Sequence, residues 1–103
     1  MFARNAHFRM KSLTMASEFA RTFENEILPL LRKQEGFKGE ITFSNPGSLE
    51  HIAISLWENK RHARAYDTDV YPQVLKILSS VINGTPKIRT YEAVTLKLDH
   101  DED

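Results

Sequence analysis

The 103-residue sequence contains no cysteine. That absence removes disulfides, thiolate metal sites and cysteine nucleophiles from consideration. It also lacks a charge surplus, because 14 basic side chains balance 14 acidic ones. Nucleic acids and anionic membranes both select for a basic excess, so neither is expected as a partner. No apolar run approaches the roughly 18–20 residues that a membrane-spanning helix needs. Arg4, Arg9 and Lys11 interrupt the apolar residues of the N-terminus, which therefore has no signal-peptide core. The expected location is the cytoplasm. Histidine is sparse and scattered, at positions 7, 51, 62 and 100. A metal site needs three or four converging ligands, so no metal is expected.

What remains is globular in character, with 41% hydrophobic and 27% charged residues. A chain of this length has material for one core and not two. The expectation is a single domain over 1–98 and an acidic tail over 99–103. The most informative stretch is Ile52–Glu58, which holds the only tryptophan. Ile52, Ile54 and Leu56 alternate with Ala53, Ser55 and Trp57, the period-two pattern of a strand with two unlike faces. The aliphatic set is expected to face the core. Asn59 follows directly and is placed to cap a helix.

Upstream, Phe2–Lys11 reads as a strand with Ala6, Phe8 and Met10 on one face and Asn5, His7 and Arg9 on the other. Ser12 or Thr14 then opens a helix whose apolar stripe runs through Met15, Phe19, Phe23, Ile27, Leu30 and Leu31. Pro29 falls inside that stripe and should kink or divide the helix, and Gly36 is the natural stop. Gly39–Ser44 reads as a second strand with Ile41 and Phe43 inward, joined to the Trp57 strand by the turn Asn45-Pro46-Gly47-Ser48. A second helical region is expected to break at Tyr71-Pro72, with Asp69 capping the fresh segment. Val74, Leu75, Leu78, Val81 and Ile82 continue it to a stop at Asn83-Gly84. A last strand spans Lys87 to about Leu98, with a bulge reconciling its Tyr91 and Val94 parities.

The order strand, helix, strand, strand, helix, strand predicts an α+β, ferredoxin-like βαββαβ fold. It has a four-stranded antiparallel sheet with two helices covering one face. His7, Ser55 and Trp57 are then expected together on the uncovered face. Leaving a large ring in water is costly, so a second copy is expected to cover it, giving a homodimer and a dimeric α+β barrel.

Four features resemble the antibiotic biosynthesis monooxygenase family of the dimeric α+β barrel superfamily: the opening Met1-Phe2-Ala3-Arg4, Gly36-Phe37 after the first helix, the strand ending in Trp57-Glu58, and Thr90-Tyr91-Glu92 in the last strand. The resemblance spans nearly the whole chain and implies a pocket between sheet and helices. It implies a cofactor-independent monooxygenase acting with molecular oxygen on a small aromatic or quinol-type molecule. Haem-degrading relatives use an Asn on the first strand, a Trp ending the third strand and a His on the second helix. Asn5 and Trp57 match. The helix histidine does not: His62 comes too early on that helix, and Tyr66 stands near where many relatives carry the His. This disfavours haem, because a tyrosine axial ligand is the rarer choice.

On this reading Asn5, His7 and Tyr66 are the catalytic candidates, through hydrogen bonding and proton transfer. Trp57, Tyr71, Ser55 and Arg9 are the substrate-binding candidates. His7 is equally explained by a dimer-interface hydrogen bond, Trp57 by packing, and Arg9 by solvation. His51 and His62 read as surface residues. The alternative function is a non-catalytic dimeric barrel that binds a small apolar ligand.

Overall fold

The computed structural model describes residues 1–99. β1 (Phe2–Met10) leads through a short turn of 3-10 helix (Leu13–Met15) into α1 (Ala16–Thr22), a π-turn (Phe23–Ile27) and α2 (Leu28–Arg32). β2 (Phe37–Ser44) and β3 (Glu50–Trp57) form a hairpin. α3 (Lys60–Asp69) and α4 (Tyr71–Leu78) then lead to β4 (Ile82–Glu92). The strands form one antiparallel sheet in the order β2-β3-β1-β4, with β1 and β3 central. This is the ferredoxin-like arrangement expected from the sequence. The acidic tail from His100 onward lies outside the described residues.

Local chemistry accounts for most boundaries. Asn59 caps α3, its Oδ1 accepting from the backbone N–H of His62 at 3.1 Å. Ser12 does not cap in this way: its hydroxyl bonds Thr14 Oγ1 at 2.9 Å instead. Pro29 divides the first helical region as expected. The extra residue needed to accommodate its missing N–H is taken up one turn earlier, in the π-turn. The second break falls at Val70, with Tyr71 and Pro72 inside the first turn of α4 and not before it. α4 stops at Leu78, so Val81 and Ile82 belong to the approach and start of β4. Gly84, at φ 75°, sits where the β1–β4 register shifts. The bulge is therefore at the start of the last strand and not near Tyr91, and β4 begins earlier than Lys87 and ends at Glu92. Val94, Leu96 and Leu98 lie beyond it and are exposed.

The helices cover one sheet face. Phe2, Phe8 and Met10 of β1 and Trp57 of β3 pack there against Phe19, Ile27 and Leu31 and against Tyr66, Val74 and Leu78. The facing of β3 is the reverse of the sequence expectation. Ser55 and Trp57 are buried under the helices, whereas Ile52, Ile54 and Leu56 lie on the open face. β2 is reversed with it, leaving Ile41 48% and Phe43 50% exposed. Directly opposed residues in a sheet share a face. Ile54 opposes both Asn5 and Ile41, so fixing the apolar parity of β1 inward forces these aliphatic residues outward.

Candidate functional site

One cross-strand row on the helix-covered face is polar. Glu40 of β2 opposes Ser55 of β3, Ser55 opposes Arg4 of β1, and Arg4 opposes Thr90 of β4. Strands are about 4.8 Å apart, so Glu40 and Arg4 stand about 10 Å from each other across the row. Above the row lies an apolar cavity of about 50 Å³ between the sheet and the helices. Arg4, Glu40, Ser55, Tyr66 and Tyr71 line it together with Phe8, Phe19 and Phe23. The volume is sufficient for a few waters and smaller than the roughly 150 Å³ that holds a benzene ring.

Arg4 is the most constrained of these groups, at 4% exposure. Its Nε donates to Asp67 Oδ1 of α3 at 2.6 Å. Its guanidinium carbon lies 4.1 Å from the centre of the Tyr71 ring and 5.1 Å from that of Tyr66. Cation–π attraction at these distances is worth about 0.5–2 kcal/mol per ring, more as water is excluded. Arg4 Nη2 and the Tyr71 hydroxyl are both buried without a hydrogen-bond partner. Burying a charged donor unpaired is expensive, and among the residues lining the cavity these two atoms are the unsatisfied ones. Away from it, His51 Nδ1 and both ring nitrogens of His62 are also buried without a partner.

Burial also sets the protonation states. It pushes the Tyr66 phenol up to about 12, with Arg4 pulling the other way. Tyr71 is raised for the same reason and against the same opposing charge. Both are therefore neutral hydrogen-bond donors near neutral pH. Burial pushes the Glu40 carboxyl up to about 7, only partly offset by the Thr42 hydroxyl donating to it at 2.9 Å. Glu40 and Phe23 line the cavity and also the open cleft between β2 and α2, so they stand at its mouth.

The sequence-derived candidates separate into two groups. Ser55, Tyr66 and Tyr71 line the cavity. Trp57 is fully buried one layer behind it, donating from Nε1 to Ser55 Oγ at 2.9 Å, with its ring centre 5.1 Å from that of Tyr66. Asn5, His7 and Arg9 are on the other face of the sheet, opposite Ile54, Ile52 and Glu50. Arg9 makes a 3.6 Å ion pair with Glu50 there. The expected grouping of His7 with Ser55 and Trp57 does not form, because the two sets have opposite parity. His51 and His62 are buried, not surface residues. His51 stacks on Phe8 at 5.7 Å, and burial lowers its pKa. Arg4 and Glu40 were missed. The signal for Arg4 was in the sequence: it is the one charged residue in phase with Phe2, Ala6, Phe8 and Met10. Glu40 gave none, because its environment depends on the helices. Among the described residues, no three His, Asp or Glu side chains converge as a metal site would require.

Comparison with solved structures places this architecture. A monooxygenase of Streptomyces coelicolor, solved with the ligand nanaomycin D, superposes at a TM-score of 0.78 and 14% identity over 96% of this chain and 92% of that one. The fold is that of the antibiotic biosynthesis monooxygenases. A Bordetella bronchiseptica protein provisionally assigned to antibiotic biosynthesis monooxygenase matches at a TM-score of 0.76 and 11% identity, over 91% and 97% of the two chains. A cofactor-independent oxygenase of Streptomyces nogalater matches at 0.69 and 15%, over 92% and 94%. No family model and no curated protein matches the sequence. At these identities the likeness is one of antibiotic biosynthesis monooxygenase fold, and the chemistry has to be argued from the chain's own residues.

Proposed function

We propose that the protein is a cofactor-independent monooxygenase acting on a small aromatic, quinol-type molecule in the cavity between sheet and helices. The observation that carries this reading is the polar row under an otherwise apolar cavity, with Glu40 titrating near neutrality at one end and Arg4 at the other. A carboxyl with a pKa near 7 is suited to accept a proton from a weakly acidic substrate at physiological pH. Tyr66 and Tyr71 remain protonated and supply hydrogen bonds. For an activated ring CH₂, Glu40 takes one proton and leaves a carbanion. The carbanion reduces dioxygen and forms a C–O bond. Cleavage of the O–O bond and loss of the second proton give a ring carbonyl and one water, so the four electrons lost by carbon are the four gained by dioxygen. Trp57 supports this chemistry from behind, by fixing Ser55 and Tyr66.

The cavity holds less than one ring, so it has to widen to take substrate, and Phe23 and Glu40 stand where it opens onto the cleft between β2 and α2. The open sheet face, with Ile41, Phe43, Ile52, Ile54 and Leu56, is covered by a second copy in a homodimer. Asn5, His7 and Arg9 then serve that contact. The small volume favours one second reading, a barrel that binds a small apolar ligand without turnover. Oxygen uptake with a panel of anthrones and hydroquinones separates the two. Consumption that is lost in Glu40→Gln supports the enzyme; none across the panel supports the binding protein.

A further inference from the structure

Arg4 ends the polar row but takes no proton or oxygen step in the chemistry above. A guanidinium offers five N–H donors in a planar fork. Nε is taken by Asp67, and the two tyrosine rings lie against the guanidinium, yet Nη2 has no partner although Arg4 is only 4% exposed. The Tyr71 hydroxyl has no well-formed partner either, although Arg4 is close enough to oppose the burial that raises its pKa, by charge and by hydrogen bonding. Native cores rarely leave two adjacent donors unpaired, and such a pair points to a group absent from the folded chain. Asp67 offsets only part of the Arg4 charge on the cavity side: it pairs through Nε, its side chain is 40% exposed, and Arg4 acts on Tyr66 and Tyr71 more strongly than Asp67 opposes it. The cavity wall is otherwise mostly aromatic and aliphatic.

We propose that the end of the cavity under β1 is a carboxylate subsite, in which Arg4 Nη2 and Tyr71 Oη hold the two oxygens of a small aromatic acid. The inference rests on the reading of this cavity as the substrate site and specifies the charge of what enters it. Two donors, one on a cation and one neutral, match two oxygens sharing one negative charge. A phosphate would bring more charge and more lone pairs than one guanidinium and one phenol satisfy. A neutral amide of the same shape can pair its oxygen with Nη2 and its N–H₂ with the hydroxyl as acceptor, but it brings no charge to the guanidinium, so the carboxylate is favoured by charge. The ring of the acid extends along Phe19 and Phe23 toward the mouth, where Glu40 stands about two strand spacings, roughly 10 Å, from Arg4.

The test uses benzoate and benzamide, which share size and shape and differ in charge, titrated into the intact protein and followed by shifts of the tyrosine and tryptophan ring resonances. Benzoate is expected to bind at least tenfold tighter than benzamide. Tyr71→Phe, which removes one oxygen from the site, is expected to weaken benzoate several-fold. Arg4→Met is expected to abolish the preference for benzoate. If Arg4→Met does not fold, the wild-type ratio and Tyr71→Phe decide. Equal binding of the two probes, binding of neither, or a preference that survives Arg4→Met overturns the subsite. Oxygen uptake is read separately. Benzoate binding without turnover of any quinol sinks the oxygenase reading and leaves the subsite standing. Turnover of neutral quinols that benzoate does not inhibit does the reverse.

Discussion

Trp57 and Ser55, two residues apart on β3, are joined by a side-chain hydrogen bond from indole Nε1 to Oγ at 2.9 Å. The bond exists because both residues point to the same face of the strand and both are buried. It satisfies the only polar atom of the indole and holds the serine at the floor of the cavity. Phe37 meets the ring edge-on at 5.6 Å, and Tyr66 lies against it at 5.1 Å. Trp57 is thus a structural wedge whose influence on the cavity is indirect.

Trp57→Phe removes the hydrogen bond and part of the ring volume together. The expected loss is about 2 kcal/mol, from cavity formation plus the lost hydrogen bond, Ser55 keeping only its 3.5 Å bond to the Arg4 carbonyl. Urea unfolding checks it, and an unchanged midpoint would show that the indole is not the wedge described.

Gly36, at φ 82°, sits where a Cβ would land inside the imidazole of His62. Its carbonyl also accepts from Glu58 N at 2.7 Å, tying the end of the first helical region to the end of β3. Gly36→Ala is therefore strained twice, by the left-handed backbone and by the ring. A loss of at least about 2 kcal/mol is expected on thermal or chemical unfolding. Pairing it with His62→Ala should recover only part of the steric cost, because the His62 Cβ that remains is itself 2.7 Å from the added Cβ.

Glu40 binds its proton more tightly in the folded state than in the unfolded one. Its contribution to stability is thus complete below about pH 4.5 and is lost as pH rises through about 7. Glu40→Gln should flatten that slope and be the more stable protein at pH 8, by about 1 kcal/mol once partial solvation is allowed for. If Glu40 is the base, wild-type oxygen uptake rises with pH through the same range, and the variant shows neither the rise nor the rate. A rate that persists in Glu40→Gln assigns proton transfer to another group.

The half-exposed Ile41 and Phe43 give the dimer its own test. Light scattering at micromolar concentration should return twice the chain mass. Phe43→Glu should return the single mass with the circular dichroism spectrum preserved. A wild-type monomer would leave this apolar face without the cover proposed for it.

Order and type of the elements were legible in the sequence because they rest on local rules. Period-two and period-three-and-four patterns mark strands and helices, Asn59 caps its helix, and Pro29 divides another. These interactions reach at most a few residues along the chain. The faces of β2 and β3 were not legible. Ile52, Ile54 and Leu56 are the more hydrophobic parity, and a single strand gives no reason to bury Ser55 instead. Cross-strand register decides it: with Phe2, Ala6, Phe8 and Met10 under the helices, Ser55 and Trp57 opposite Arg4 and Phe2 must follow. The same register brought Glu40, Ser55 and Arg4 into one row and sent Asn5 and His7 to the other side. The sequence by itself determined the ferredoxin-like order, the breaks in both helical regions and the presence of one arginine in an apolar phase. Only the tertiary structure decided which side of the sheet holds the cavity, because burial is shared among four strands and two helical regions and no one of them encodes it alone.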